Sequence, residues 1–348
     1  MVDKKGEEKS QVVSPRRKLT GLDLYVVRTV ALVAGLYHIY IAVFGLPEAL
    51  KLRALHVGVI LFLGFALYRG TNRQLSNKVP WYDWLFAGLG LAGALYVHLN
   101  FERIAWRRFY IDPVTSGDWF FGIVTVILVL ELARRAVGLA LPIIAVTFLG
   151  YIILGPVLPM PLFHPGLSFT HLVDYMFLTK NALYGSLVSL SATFIFIFIL
   201  FGAILNLAKG DQLFMEIALS ATRKARGGPA KAAVIGSALF GCISGSPTAN
   251  VFATGAITIP LMKKAGYDPV FAGAVEAVAS SLGQVIPPVM GATAFLIAEF
   301  SGKPYLEVAT AAIGPAVLYV FASYMMVHFH AARVGIGIYQ SEEDRPLK

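Results

Sequence analysis

The stretch AAVIGSALFGCISGSPTANVFATGAITIPLM occupies residues 232–262, 31 residues without a charge between Lys231 and Lys263. Its midpoint is polar: Ser244, Ser246, Thr248 and Asn250 surround Pro247, with Gly245 between the two serines. A straight helix of this length would reach roughly 46 Å at about 1.5 Å per residue, well beyond a bilayer hydrocarbon core of about 30 Å. Two half-helices meeting at a polar tip account for both the length and the polarity. Polar, non-helical backbone at membrane depth is tolerated only where it is buried in protein or lines a cavity. The segment is therefore predicted to be a re-entrant hairpin over about 229–262.

The composition fits that setting. Of 348 residues 57% are hydrophobic and only 14% charged, with a mean hydropathy of +0.70, whereas soluble domains carry about 25% charged residues. The predicted fold class is an all-α polytopic membrane protein whose environment is the lipid bilayer. The formal charge of +9 is spread over short basic clusters between apolar runs. Such clusters orient membrane helices and do not form a continuous nucleic-acid face, so no nucleic-acid partner is expected. Cys242, the single cysteine, leaves no pair for an internal disulfide and is expected to pack as a small apolar residue. No HExxH or similar spacing occurs among the histidines, so no metal other than sodium and no organic cofactor is expected. The first 20 residues contain no apolar run, and the first span is expected to act as an uncleaved signal.

Charge-poor runs place spans at 26–46, 54–68, 85–101, 119–130, 139–154, 187–208 and 305–327. With an interrupted stretch at 269–300, about eight transmembrane helices are predicted beside the hairpin. The organisation read from this pattern is a basic tail at 1–21, a four-helix membrane region at 22–137, and a region at 138–348 that holds the hairpin, the broken helix and the last span. Trp81, Tyr82 and Trp84 read as an interfacial aromatic belt. Simple alternation puts Arg16, Arg17, Lys18, Arg69, Arg73, Lys78, Arg134, Arg135 and the basic residues from Lys209 to Lys231 on the cytoplasmic side, with both termini inside. Segment 101–118 is the exception, with three arginines outside against three acids, and is expected to lie along the interface. A crossing by 232–262 would put Lys263 and Lys264 outside as a second exception. A hairpin returns them to the inside.

The stretch 269–300 is broken by Gly283, Gln284, Val285, Ile286, Pro287 and Pro288. Proline has no N–H, so Pro287 and Pro288 cannot bond the carbonyls of Gly283 and Gln284, and Pro247 frees that of Ile243. Freed carbonyls at mid-depth must meet hydrogens, water or a cation. With Ser244, Gly245, Ser246, Thr248 and Asn250 they form neutral oxygen ligands suited to Na⁺. The second hairpin arm begins near Asn250 and the second half of the broken helix near Val289. Two helix N-termini would then face one zone, attracting an anionic group such as a carboxylate. Asn250, Thr254, Pro287, Pro288 and Val289 are the candidate substrate-facing residues.

At these residues the chain resembles the tripartite ATP-independent periplasmic (TRAP) transporters. Gly245-Ser246-Pro247-Thr248-Ala249-Asn250, Thr254-Gly255 and Ile259-Pro260-Leu261-Met262 are similar to that family's first hairpin, and Gly283-Gln284-Val285-Ile286-Pro287-Pro288 to its following unwound segment. Arg226-Gly227-Gly228-Pro229-Ala230-Lys231 and Val275-Glu276-Ala277 resemble members with fused small and large membrane subunits that work with TAXI-type binding proteins. Glu131-Leu132-Ala133-Arg134-Arg135 carries a weaker small-subunit resemblance over 22–137. The resemblance implies an inner-membrane permease importing an organic anion with sodium, the solute being delivered by a periplasmic binding protein. It also implies an elevator built from two inverted halves. The chain holds one hairpin and one broken helix, so a second half, or another membrane chain, is an expected partner.

Other readings stay open at this point. A single hairpin can serve as the re-entrant filter of a channel. Ser244 or Ser246 would serve an intramembrane hydrolase, although no G-x-S-x-G elbow is present. Glu276, seven residues before Gly283, reads either as an intramembrane acid that tunes ion affinity or takes part in proton coupling, or as an interfacial acid paired with Lys263 or Lys264. Glu131 is placed to pair with Arg134 and Arg135 along one helix face.

Overall fold

The computed structural model describes residues 16–71 and 77–338; most of the basic tail, Arg73 and the last ten residues lie outside the described residues. The described chain is helical, with two isolated antiparallel bridges, Arg16–Tyr68 and Arg226–Ile338. It divides into two compact units at 193/194.

The first unit contains α1 (Gly21–Phe44), α2 (Ala49–Leu67), α3 (Trp81–Leu99), α4 (Phe101–Trp106), α5 (Ser116–Ala136), α6 (Ala140–Leu154), α7 (Phe169–Phe177) and α8 (Ser186–Leu190). A π-helical stretch, Ser191–Ile195, leads from α8 into α9 (Phe196–Leu207). Among the described residues six helices are long and apolar enough to cross a bilayer: Gly21–Phe44, Ala49–Leu67, Ser116–Ala136, Ala140–Val157, Ser186–Leu207 and Tyr305–Val334. The chain is a polytopic membrane protein. The count falls short of eight for two reasons. α3 has the length, 19 residues, but opens on Trp81, Tyr82 and Asp83, and 269–300 is divided between two short helices.

α2 is the hub of the first unit. Leu61 and Phe65 pack with Ala87, Leu128, Leu132 and Phe177 in one core. The buried carboxylates of this unit are paired, whereas the Thr125 hydroxyl has no partner among the described residues. Asp83 takes Arg17 on one oxygen and Arg135 on the other, the latter at 2.7 Å, with all three side chains at most 3% exposed. Arg17 also donates to the carbonyls of Phe65 and Ala66 at 2.8 and 3.0 Å, and Arg135 bonds Glu131 at 2.7 Å. Glu131 therefore pairs along its helix with Arg135 and with Arg134, as its spacing predicts. His38 and His56 form a second polar thread. The Ala34 carbonyl can only accept, so His38 carries its proton on Nδ1, 2.7 Å away. His38 Nε2 then accepts from His56 Nδ1 at 3.0 Å, and His56 Nε2 from the Ser191 hydroxyl at 2.9 Å.

Segment 101–118 is not a simple interfacial helix. Only α4 and the first residues of α5 are helical, and the three arginines are each matched to an acid: Arg103 to Asp118 at 2.6 Å, Arg107 to Asp174 at 2.8 Å, and Arg108 to Asp112 at 2.9 Å. The Arg108 N–H and guanidinium hold the Asp112 carboxyl below the usual carboxylate range. Asp118 also completes a capping box with Thr115 at the start of α5.

The second unit holds α9, α10 (Gly210–Thr222), α11 (Gly228–Ser244), α12 (Pro247–Lys264), α13 (Pro269–Ser281), α14 (Ala292–Ser301) and α15 (Tyr305–Val334). α11 packs against α10, α12, α13 and α15. Its core joins Ala230, Ala233 and Val234 to Met262, Val275, Ala279, Leu282 and Val327. α11 and α12 form a helical hairpin. Gly245 adopts φ +58°, the left-handed geometry that ends helices and favours glycine. Ser246 caps α12, its hydroxyl accepting from the Ala249 N–H at 3.3 Å, and Pro247 takes the first helical position, where its missing N–H is no loss.

The broken helix docks on this hairpin through glycine. A Cβ on Gly241 would stand 2.6 Å from the Gly283 Cα, and one on Gly283 would stand 2.8 Å from the Gly241 Cα. The backbones thus touch. Beyond a 3-10 turn at Leu282–Gln284, the Val289 N–H donates to the Cys242 carbonyl at 3.1 Å and the Gly291 N–H to the Gln284 carbonyl at 3.0 Å. The Tyr305 hydroxyl lies 2.8 and 2.6 Å from the carbonyls of Pro288 and Val289.

Two stability tests follow from this packing. Asp83→Ala removes the carboxylate shared by two buried guanidinium groups, and loss of one partner of a buried pair costs about 3–5 kcal/mol. A large fall in the thermal midpoint in detergent is expected, and an unchanged midpoint would refute the network. Gly241→Ala must push the unwound segment off α11 and should lower the midpoint. Gly273→Ala, where a Cβ meets nothing within 4 Å, should be neutral or gain up to about 1 kcal/mol from helix propensity. Equal behaviour of the two alanine variants would mean that the glycine contact does not hold the break.

Candidate functional site

The tip of the hairpin and the break in the second helix come together, as two interrupted helices need if one site is to draw on both. Gly245 lies against Met290, where a Cβ would be 2.1 Å from the Met290 carbonyl oxygen. α12 begins at Pro247 and α14 at Ala292, so two helix N-termini flank this junction. Their unpaired N–H groups make the zone electropositive without any cationic side chain.

The residues singled out in the sequence divide into four groups. Ser244, Gly245, Ser246, Val289 and the Gly283 backbone lie at or beside the junction. The Ser244 hydroxyl oxygen is buried with no hydrogen-bond partner among the described residues, whereas the Ser246 hydroxyl is used as the α12 cap. Pro287 lines a groove of about 690 Å³ with Cys242, Ile313 and Tyr324, and the groove's walls are apolar. Cys242 itself donates to the Leu239 carbonyl at 2.9 Å. Thr248, Gln284 and Pro288 are exposed. The Gln284 carbonyl, expected to be free for a cation, already accepts from Gly291.

Asn250 and Thr254 face elsewhere, into the seam of α11, α12 and α13. The Asn250 amide donates to the Ser237 carbonyl at 2.8 Å and lies 3.4 Å from that of Ser280, so one side chain ties three helices. Thr254 approaches Glu276 at 2.5 Å. The sequence marks Glu276 as an acid near the site but not the hydroxyl cluster that surrounds it. Glu276 is completely buried. It meets Ser237 at 3.2 Å, Ser280 at 3.1 Å, Thr254, and Thr258 on its other oxygen. Lys263 and Lys264, its expected partners, are exposed at the end of α12. The signal was present: Asn250, Thr254 and Thr258 recur every four residues on one face, and Ser280 follows Glu276 by four. Gly255 makes room, since a Cβ there would lie 3.0 Å from the Glu276 Cγ.

Comparison with known proteins supplies the lineage. The family described as tripartite ATP-independent periplasmic transporter, DctM component, matches residues 124–347. The chain is 32% identical over 136 residues to the ectoine TRAP transporter large permease protein TeaC of Halomonas elongata, covering 39% of this chain and 31% of that protein. It is 36% identical over 91 residues to the C4-dicarboxylate TRAP transporter large permease protein DctM of Pseudomonas aeruginosa, covering 26% and 21%. With the protein of the same description from Vibrio cholerae it shares 29% over 166 residues, covering 48% and 34%. Each match thus spans about a third or less of the relative's length. No solved structure matches the chain. The hairpin with its Ser-Pro tip, the Pro-Pro break docked against it, and a match over residues 124–347 establish that this chain belongs to the DctM component family of the tripartite ATP-independent periplasmic transporters.

Proposed function

We propose that this chain is the membrane permease part of a sodium-coupled importer in the inner membrane, taking up an organic anion delivered by a periplasmic binding protein. Residues 22–137 act as the small-subunit-like region fused to the first repeat of the large subunit at 138–348, in the manner of the TAXI-associated members. The hairpin enters and leaves from the cytoplasmic side, where both termini lie. A second, inverted half with its own hairpin and break, on this or another chain, closes the substrate site as half of an elevator. The carboxylate class is favoured because two helix N-termini attract an anion without a buried cation.

One observation carries the sodium reading: the buried Ser244 hydroxyl has no partner at the junction between Gly245 and Met290. A buried oxygen left unsatisfied is unfavourable by about 1–3 kcal/mol, and a hard monovalent cation is the species that neutral oxygens satisfy. Ser244, the tip carbonyls and the Gly283 turn are the first-choice ligands. Asn250 and Thr254 shape the hairpin around them through hydrogen bonds of their own.

Sodium binding is measurable without knowing the solute. A ligand at free concentration c that binds only the folded state stabilises it by RT ln(1 + c/Kd), so the concentration at which the thermal midpoint begins to climb reports the half-saturating concentration. Sodium, but not potassium or choline, should stabilise the purified permease. Ser244→Ala should raise the half-saturating sodium concentration by roughly 5- to 150-fold, the equivalent of about 1–3 kcal/mol. Equal stabilisation by all three cations, or an unchanged half-saturation in Ser244→Ala, would remove sodium from the tip.

A further inference from the structure

A sodium site at the hairpin tip has no use for Glu276. Its carboxyl is 0% exposed, and among the described residues its side-chain contacts are hydroxyls: Ser237, Thr254 and Ser280 on Oε1, and Thr258 on Oε2. The charged and titratable groups of the packed helices are engaged or distant. On α11, Lys231 is bound to His328 Nδ1 of α15 at 3.0 Å and sits 4.6 Å from the centre of the Tyr324 ring, while the Cys242 thiol donates to Leu239. Lys263 and Lys264 on α12 are exposed. Asp268 caps the start of α13, and the Tyr267 hydroxyl is directed at the Gly227 carbonyl. Among the described residues no cation reaches Glu276.

Proton counting gives the rest. A hydroxyl has one proton to donate. Thr258 lies 3.1 Å from the Thr254 carbonyl and Thr254 lies 2.9 Å from the Asn250 carbonyl. A carbonyl can only accept, so Thr258 can spend its proton one turn back along α12 on the Thr254 carbonyl and turn a lone pair towards Oε2, while Thr254 donates to Oε1. Ser280 and Ser237 still donate to Oε1. Oε2 then completes its bond to Thr258 by carrying a proton of its own. The alternative, an ionised carboxylate, would be a lone buried charge, the arrangement protein interiors avoid by neutralising the group.

We propose that Glu276 is a proton-binding site, held as a neutral carboxylic acid by the hydroxyls of α11, α12 and α13. Release moves the Oε2 proton to a water admitted when α12 parts from α13, forming hydronium and a carboxylate towards which the four hydroxyls turn their protons. Proton loss is thereby tied to opening of the hairpin seam. The site stands apart from the sodium reading and rests on the transport reading only for its place in a coupling cycle.

Difference infrared spectroscopy on the purified full-length permease in lipid discs tests this. Wild type minus Glu276→Gln at neutral pH should contain the carbonyl-stretch band of a protonated carboxylic acid, shifted in heavy water. Thr258→Val should move that band to higher frequency by removing its acceptor. Gly241→Ala, which wedges the neighbouring contact, should speed the heavy-water shift. If Glu276→Gln does not assemble, Thr258→Val against wild type reads the same band. Absence of the band, or its indifference to Thr258→Val, overturns the proposal. Sodium-induced stabilisation should persist in Glu276→Gln. If that stabilisation is missing in the wild type while the band is present, the sodium site fails and the proton site stands.

Discussion

A single backbone hydrogen bond, from the Val289 N–H to the Cys242 carbonyl, joins two helices that each stop short. It forms only because Gly241 and Gly283 let the backbones touch. Interrupted helices in an apolar setting leave N–H and C=O groups that must be paired inside the protein. Here one break helps satisfy the other. Gly245 N–H serves Gly241, Val289 serves Cys242, Gly291 serves Gln284, and Tyr305 reaches the two carbonyls after the prolines. Once these are assigned, the Ser244 hydroxyl is the buried side-chain oxygen of the tip left over. The functional reading follows from what the packing leaves unpaired.

Buried acids are handled in two ways along the chain. Asp83 is neutralised by two guanidinium groups that also tie residue 17 to α2 and α5. Such a pairing is robust, because removing any partner leaves a charge stranded. Glu276 receives only hydroxyls, which can rotate and can serve either protonation state. A fixed anchor suits the first arrangement and an exchangeable group the second. The Asn250 amide locks the same seam to both flanking helices through the Ser237 and Ser280 carbonyls.

The helices and the hairpin were legible because their signals are local. Charge-free runs mark spans, and a Ser-Pro tip or Pro-Pro break marks where a helix cannot continue. The paired arginines and Glu131 were legible from spacing of three and four. Side-chain direction was not. Asn250 and Ser246 lie four residues apart, yet one enters the three-helix seam and the other caps a helix. Glu276 looked interfacial because the nearest lysines in the sequence are at the end of α12; the antiparallel return of the hairpin instead brings Ser237, Thr254 and Thr258 to it. α7 and α10 escaped notice because short amphipathic helices lack the long apolar run of a span.

The central claim is that α11 and α12 enter the membrane and return to the side they came from. From Lys231 to Ser244 is about 20 Å of helix, deep enough to carry the tip beyond the middle of a core of about 30 Å. Because Lys231 is buried against His328, the ends are best marked at the exposed Lys224 and Lys264. In a Cys242→Ala background, Lys224→Cys and Lys264→Cys should both react with an impermeant thiol reagent from the same, cytoplasmic, face of sealed vesicles. Reaction from opposite faces would make 232–262 a crossing, and the tip could not hold a re-entrant ion site.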